Sequence, residues 1–452
     1  MINFSYFLYF YFKVTIFIMF PQISFDLTFF TNIINELLSQ PTPFHSAWLL
    51  LRIGGWVPLA YLLFWAIGQI YLVQIQTRWV RKQKFVLLAI DVPKGNEQTP
   101  KAVENIFAHF YGMKSSFNMK DKYITGKVEL SASLEIVSLG GDIQFYIRVV
   151  RKHRDLVESA IYSQYPDAEI TEVEDYTKNF PRKFPHEKYE SFGCDFKLDH
   201  PDYFPIRTYP QFEHGLSAEF KDPMSLILET LSKIKKDEAL CWQILVVPAG
   251  DSWIKKGEQE VKKMLGKAPP PKKGILGGIS DLVGEFAGYT VSGTIAGAGE
   301  KDKTADAFRS LAMSPGERHT IEAVEMKLSK TGFPSKIRYI HFAPHEIFQN
   351  KYTVVKGFLK QFAALNCNSF TSVQKTMPKK NYWYHRMVRP TKQATLFSAY
   401  INRDPSIGGP MYVLNTEELA TLWHFPVLEV KAPSVKRTEA RRAEPPRGLP
   451  VR

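Results

Sequence analysis

Two histidines four residues apart beside a glutamate, His341, His345 and Glu346 in HFAPHE, are the nearest this chain comes to a metal-ligating pattern. A helical HExxH site needs both rings on one face, and Pro344 between them bars a regular helix. His341 then falls in a strand register and His345 in a turn, both as structural residues. Phosphate chemistry finds no better footing. A P-loop needs GxxxxGK[ST], whose glycines let backbone amides wrap the phosphates. The Gly-Lys pairs at 126–127 and 266–267 lack both the hydroxyl residue and the upstream glycine, and GAGEKDKT (297–304) lacks the spacing. No GxSxG elbow occurs, and Glu172, Glu174 and Asp175 read as a solvated strand edge. No catalytic, metal or cofactor-binding residue is assigned, no cofactor is expected, and the chain is read as non-enzymatic.

A binding surface has more support. NYWYHRMVRPTK (381–392) interleaves Tyr382, Trp383 and Tyr384 with Arg386, Arg389 and Lys392. Aromatic platforms beside cations are what single-stranded nucleic acid requires. Such a cluster is more often a protein interface or a half-buried strand, so DNA contact stands as one of two readings. The whole chain carries 58 Lys and Arg against 45 Asp and Glu, a formal charge of +13. That balance suits anionic partners, nucleic acid or acidic lipid, and equally a solvated basic surface beside a membrane. Cys194, Cys241 and Cys367 are odd in number and scattered, which fits thiols in a reducing compartment and no disulfide framework.

The elements that would carry such a surface begin with a membrane segment. WLLLRIGGWVPLAYLLFWAIGQIYLV (48–73) holds one charge, Arg52, in 26 positions. About 20 apolar residues suffice to cross a bilayer core as a helix, so residues 46–75 are expected to span. Trp48, Trp56, Trp65 and Tyr71 supply amphipathic rings for the interfaces. Arg78, Arg81, Lys82 and Lys84 follow at once, whereas residues 21–47 have no Lys or Arg. The positive-inside rule then puts the body in the cytoplasm, at the inner face of the cell membrane. Residues 1–20 are apolar and aromatic around Lys13 and carry three readings: a first transmembrane helix making a hairpin, an uncleaved signal-like segment, or an over-extended gene start.

FVLLAIDVP (85–93) reads as a buried strand, and Thr99-Pro100 opens a helix with Val103, Ile106, Phe107 and Phe110 on one face. KVELSASLEIV (127–137) and IQFYIRV (143–149) alternate about a Gly-Gly-Asp turn, as a hairpin. A helix near 153–165 and the strand AEITEVEDY complete β-α-β-β-α-β, the order of a ferredoxin-like plait, over 85–176. Five prolines mark 177–212 as an extended linker or a packed irregular arm. Residues 213–375 repeat the order, with LSAEFK (216–221) as first strand and a second helix at 352–365 that aligns Val355, Phe358, Leu359 and Phe362. An insertion at 249–334 interrupts this unit, and its Gly/Pro-rich part, 267–306, reads as a flexible loop. Residues 376–430 form an α/β extension with TLFSAYI and MYVLN as strands and a helix capped by Thr416. The tail 431–452, basic and proline-rich, is expected to be disordered. The fold class is therefore α+β, an N-terminal transmembrane helix followed by two ferredoxin-like units.

FVLLAIDVPKGNEQTPKAVENIFAHFYG, SLEIVSLGGDIQFYIRV, YSQYPDAEITEVEDY and LNTEELATLWHFP resemble an uncharacterised membrane-anchored bacterial family of candidate-phyla genomes. That family is similar to the amino-terminal, non-motor region of type IV secretion and conjugation ATPases, coupling-protein and HerA-like. The resemblance implies no catalytic residues. It implies a membrane-bound component of a DNA-transfer apparatus, with lipid, a separately encoded ATPase, DNA and further copies of itself as partners.

Overall fold

The computed structural model describes residues 56–93, 98–212, 222–248, 250–265 and 313–427, with scattered positions between 35 and 52. The segments expected at 1–20, 216–221, 267–306 and 431–452 lie outside the described residues. Two compact units emerge, one reaching through Lys82 and including Phe117–Val128, the other holding Gln83–Ser116 and Glu129 onward.

In the first unit, helix α1 runs over Trp56–Arg81. Its portion Leu59–Arg81 is long and apolar enough to cross a membrane by length and composition, and no residue of its apolar window is buried. Residues 117–128, the last two of which open the expected strand 127–137, belong to this unit instead, and strand pairing begins only at Ala132. A single π-helical turn, Asp121–Thr125, occupies them.

The second unit is mixed α+β around one antiparallel sheet of nine strands. Its first half runs β1 (Phe85–Asp91), α2 (Pro100–Phe110), β2 (Ala132–Leu139), β3 (Asp142–Val150), α3 (Arg154–Gln164) and β4 (Glu169–Val173). Its second half runs β5 (Tyr189–Leu198), α4 (Ser225–Ser232), β6 (Ala239–Val246), β7 (Gly332–Pro344), α7 (Tyr352–Lys360) and β8 (Phe370–Ser372), with α5 (Ser252–Met264) and α6 (Pro315–Leu328) inserted between β6 and β7. The strands lie in the order β4-β1-β3-β2-β6-β7-β5-β8. The second strand of each half meets the other at the centre, where Ala132–Leu139 faces Val246–Ala239 residue for residue. One sheet thus passes through both halves.

The structure departs from three expectations. The stretch 177–212 is not a linker throughout: YESFGCDFKL forms β5, paired with β7 and β8. No proline falls between Pro185 and Pro201, so the ladder has all its donors. TLFSAYI is not a strand but the end of helix α8 (Trp383–Ile401), because burial of Leu396, Phe397 and Tyr400 follows helical spacing. β9 (Tyr412–Asn415) then pairs with β7 and leads into α9 (Thr416–Leu422). The cap of α9 is Asn415 rather than Thr416: its side chain accepts from the Glu418 amide, and the Glu418 carboxylate accepts from the Asn415 amide.

Because a strand alternates its side chains, the two faces of the sheet carry different material. One face, with Leu134, Ile136, Ile147, Trp242, Ile244 and Tyr339, packs under α2, α3, α4, α7 and α9 in the main core. The other face holds a smaller apolar cluster in which Val137, Cys241, Ile340 and Phe342 meet Phe180 and the buried side of α8. Beside that cluster runs a polar row, in register across five strands: Tyr146, Glu135, Gln243, Arg338 and Asp195. The loop after α8 closes over it. Arg338 donates to Asp195 at 2.6 Å and to the Ile407 carbonyl at 2.9 Å, and Lys336 donates to that same carbonyl at 2.9 Å. Gly408 completes the turn at φ +103°, where an added Cβ would overlap Asp195 Oδ2. Gly408→Ala is therefore expected to cost about 2 kcal/mol or more, from backbone strain plus the overlap, and to lower the thermal midpoint accordingly.

Candidate functional site

The first two turns of α8 project from this second face. Trp383, Tyr382, Tyr384, Met387 and Val388 are 74%, 60%, 48%, 72% and 44% exposed, an apolar and aromatic surface with no covering element among the described residues. Their positions follow from the helix itself. Its buried stripe, Gln393, Leu396, Phe397 and Tyr400, lies in the last half, and Pro390 marks the change. Toward the start of α8 the chain has turns of helix but no sheet to sit on. Tyr382 and Tyr384 stack with ring centroids 5.6 Å apart at 4°, and Trp383 meets Tyr384 edge-on at 6.1 Å.

Beside these rings an open cleft of about 330 Å³ is lined by Phe184, His186, Glu190, His345, Lys380 and Arg386 among others. Glu190 organises it. Arg389 grips its carboxylate with both terminal nitrogens, at 2.8 and 3.2 Å, and Lys380 reaches it at 3.2 Å. Gln393 donates at 2.9 Å. Partial burial would raise this carboxyl, but the Arg389 guanidinium, the Ser191 amide and Lys380 outweigh it, leaving a pKa of about 2.

The six residues marked from sequence for nucleic-acid contact therefore separate. Tyr382, Trp383, Tyr384 and Arg386 are exposed on one stretch of helix. Arg389 is engaged with Glu190, its side chain only 14% exposed. Lys392 is half-buried and leans on the Met377 carbonyl at 3.5 Å. Glu190 and His186 were missed because their segment reads as a proline-rich linker. A signal was present nonetheless: between Glu346 and Asp404 there are ten Lys and Arg and no acid, so any counter-ion must come from elsewhere in the chain.

The residues expected at the membrane interface fall in the first unit apart from Lys84. Trp48, Trp56, Trp65 and Tyr71 are exposed. Arg78 and Arg81 occupy the last turn of α1, with Lys82 and Lys84 exposed just beyond. The histidines of HFAPHE have other company. His341 is buried, with Nε2 2.6 Å from Glu238 and its ring on Phe348, and His345 pairs with the His186 carbonyl at 3.0 Å. All three cysteines are buried and unpaired with one another.

No curated protein matches the chain. The family described as a domain of unknown function, DUF8128, matches residues 81–438, which takes in the whole nine-stranded sheet. The chain belongs to that DUF8128 family.

Proposed function

We propose that this protein is a non-enzymatic, membrane-anchored component of a type IV secretion-like or conjugative DNA-transfer apparatus, which docks a separately encoded ATPase at the cytoplasmic membrane face. The observation that carries the reading is the uncovered aromatic surface of α8, Trp383, Met387 and their neighbours. Contiguous exposed apolar patches mark interaction sites, and Trp, Tyr and Arg dominate binding energy at interfaces. The acid-free basic run around it suits a partner with an acidic face. On this reading each strand-helix-strand-strand-helix-strand half is a ferredoxin-like unit, and α1 holds the body at the bilayer. The resemblance to the non-motor region of secretion ATPases supplies the class of partner.

A photo-crosslinking residue at Trp383, in cells that carry the native membrane, tests this. The expected product is an adduct with a secretion-class or HerA-like ATPase, absent when the same group is placed at exposed Tyr162 on α3. Trp383→Ala should weaken that association by about 2 kcal/mol, roughly thirtyfold. Adducts only with unrelated proteins would sink the reading. A second reading, single-stranded DNA on the Tyr382, Trp383 and Tyr384 rings, is favoured by Arg386 beside them. It requires binding that weakens steeply with salt, and a flat salt series eliminates it.

A further inference from the structure

The turn at 117–128 poses a separate question, since it leaves large apolar side chains in the open beside α1. Met119 is 73% exposed, Ile124 66% and Tyr123 41%. Its position on the helix is fixed by backbone contact. Gly126, at φ +75°, lies so close that an added Cβ would stand 2.7 Å from the carbonyl carbon and oxygen of Ile75. The turn is closed on itself by the Gly126 and Lys127 amides donating to the Asp121 carbonyl and by a 2.8 Å ion pair from Lys127 to Asp121.

Ile75 marks a particular level of α1. From Trp56 to Val73 the helix is uncharged, a rise of about 27 Å, close to the thickness of a bilayer's hydrocarbon. Gln74, Gln76, Thr77, Arg78 and Arg81 follow. A helix crossing the membrane would leave the hydrocarbon there, so the turn is held at headgroup depth. Its charges match that depth. Arg78, Arg81 and Lys82 on the helix end, with Lys120, Lys122 and Lys127 on the turn, set six cations against the single carboxylate of Asp121.

We infer that residues 117–128 form an interfacial membrane element, in which Met119, Tyr123 and Ile124 enter the headgroup–acyl boundary while Lys120 and Lys122 contact anionic lipid headgroups. This rests on α1 crossing the bilayer. The geometry is that of a side-on foot: apolar tips and an aromatic ring with a polar end suit the boundary, and flanking lysines gain from acidic lipid. Such a foot would resist tilt and rotation of α1, and would tie the cytoplasmic end of α1 to membranes rich in acidic lipid.

The test uses the full chain in proteoliposomes of zwitterionic lipid with or without phosphatidylglycerol, labelled with an environment-sensitive fluorophore at Ile124→Cys or, separately, at Leu63→Cys. The native cysteines are buried and stay unlabelled. The expected result is blue-shifted emission at 124, quenched by lipids carrying a shallow nitroxide and shielded from aqueous iodide, with the shift larger when phosphatidylglycerol is present. Lys120→Gln with Lys122→Gln should reduce that lipid dependence, and an unchanged dependence would overturn the assigned lysine contacts. Quenching at 63 by deep nitroxide lipids together with water-like emission at 124 would overturn the proposal alone. Water-like emission at both positions would overturn the spanning reading and this proposal with it.

Discussion

Arg403→Ala is expected to destabilise the sheet-bearing unit by about 3–5 kcal/mol, the penalty for leaving a buried charge without its partner. Arg403 stands at φ 51°, a left-handed conformation that a non-glycine residue adopts only where its surroundings hold it. What holds it is the 2.9 Å hydrogen bond that closes the end of α8, from the Asp404 amide to the Ala399 carbonyl, together with its own side chain. The guanidinium donates to both oxygens of Glu135, at 3.0 and 3.2 Å, and to Asp175. Glu135 is wholly buried in the central seam of the sheet, where Tyr176 donates to it at 2.6 Å and Gln243 at 2.9 Å. Burial pushes the Glu135 carboxyl up, but the Arg403 charge and hydrogen bonds overcome this and leave it below its ordinary value. Asp175, also pushed up by burial, is brought below its ordinary value by the same guanidinium.

The pH dependence follows with a definite sign. Carboxyls whose pKa is depressed by folding stabilise the protein fully above their unfolded values and lose that contribution as pH falls through the folded ones. The wild-type protein should therefore hold its stability down to the ordinary carboxylate range, near pH 4.5, and lose it in stronger acid. Without Arg403, only the Ser133, Tyr176 and Gln243 hydrogen bonds are left to oppose the burial of Glu135, its carboxyl is expected to rise above its ordinary value, and folding would take up a proton. Relative to the wild type, the variant should become more stable as pH falls from about 7 toward about 5. Urea unfolding across that range reads both the loss and the slope. A loss below about 1 kcal/mol, or parallel pH profiles, would show the network to be energetically idle.

The second large effect is expected at Lys327. Its ammonium and the Glu418 carboxylate are both fully buried, 2.9 Å apart, and join the inserted helix α6 to α9. Lys327 also donates to the Val413 carbonyl at 3.1 Å, and Glu418 accepts from the amides of Ile206 and Asn415, each at 2.9 Å. Lys327→Met keeps most of the length of the side chain but strands the carboxylate, at a cost of about 3–5 kcal/mol. Adding Glu418→Gln should restore part of this. The amide is neutral yet keeps an oxygen for one of the two backbone donors, so recovery is expected to be incomplete. Leucine at 418 should be worse than glutamine, because both amides would then be buried without an acceptor. Equilibrium unfolding of the two single variants and the double variant measures the coupling, and purely additive losses would count against it.

Much of the sheet is legible in the amino-acid sequence alone. Val86, Leu88 and Ile90 of β1, Ile143, Phe145, Ile147 and Val149 of β3, and ALCWQILV of β6 carry their burial in local patterns of hydrophobicity. The Ser314 capping box and the Val103, Ile106, Phe107 and Phe110 face of α2 are local in the same sense. β5 had the signal too, since Phe192, Cys194, Phe196 and Leu198 alternate, but the prolines on either side masked it. TLFSAYI was ambiguous on its own terms. A short apolar run fits strand or helix, and only the sheet face under Leu396 and Phe397 decides.

Other features had no local trace because they depend on partners far along the chain. The joining of the two halves through β2 and β6 leaves no mark in either strand, since β2 reads as half of an alternating hairpin and β6 as an ordinary buried run. Glu135 looks like the polar position of an alternating strand, and its role follows from an arginine 268 residues away. Arg389 looks like a free cation beside aromatic rings until Glu190, 199 residues earlier, is found gripping it. Local periodicity specifies which face of an element is apolar, since that face must leave water wherever it packs. Which face it packs against, and which charges remain open to a partner, is settled by contacts between distant residues, whose geometry no local pattern encodes.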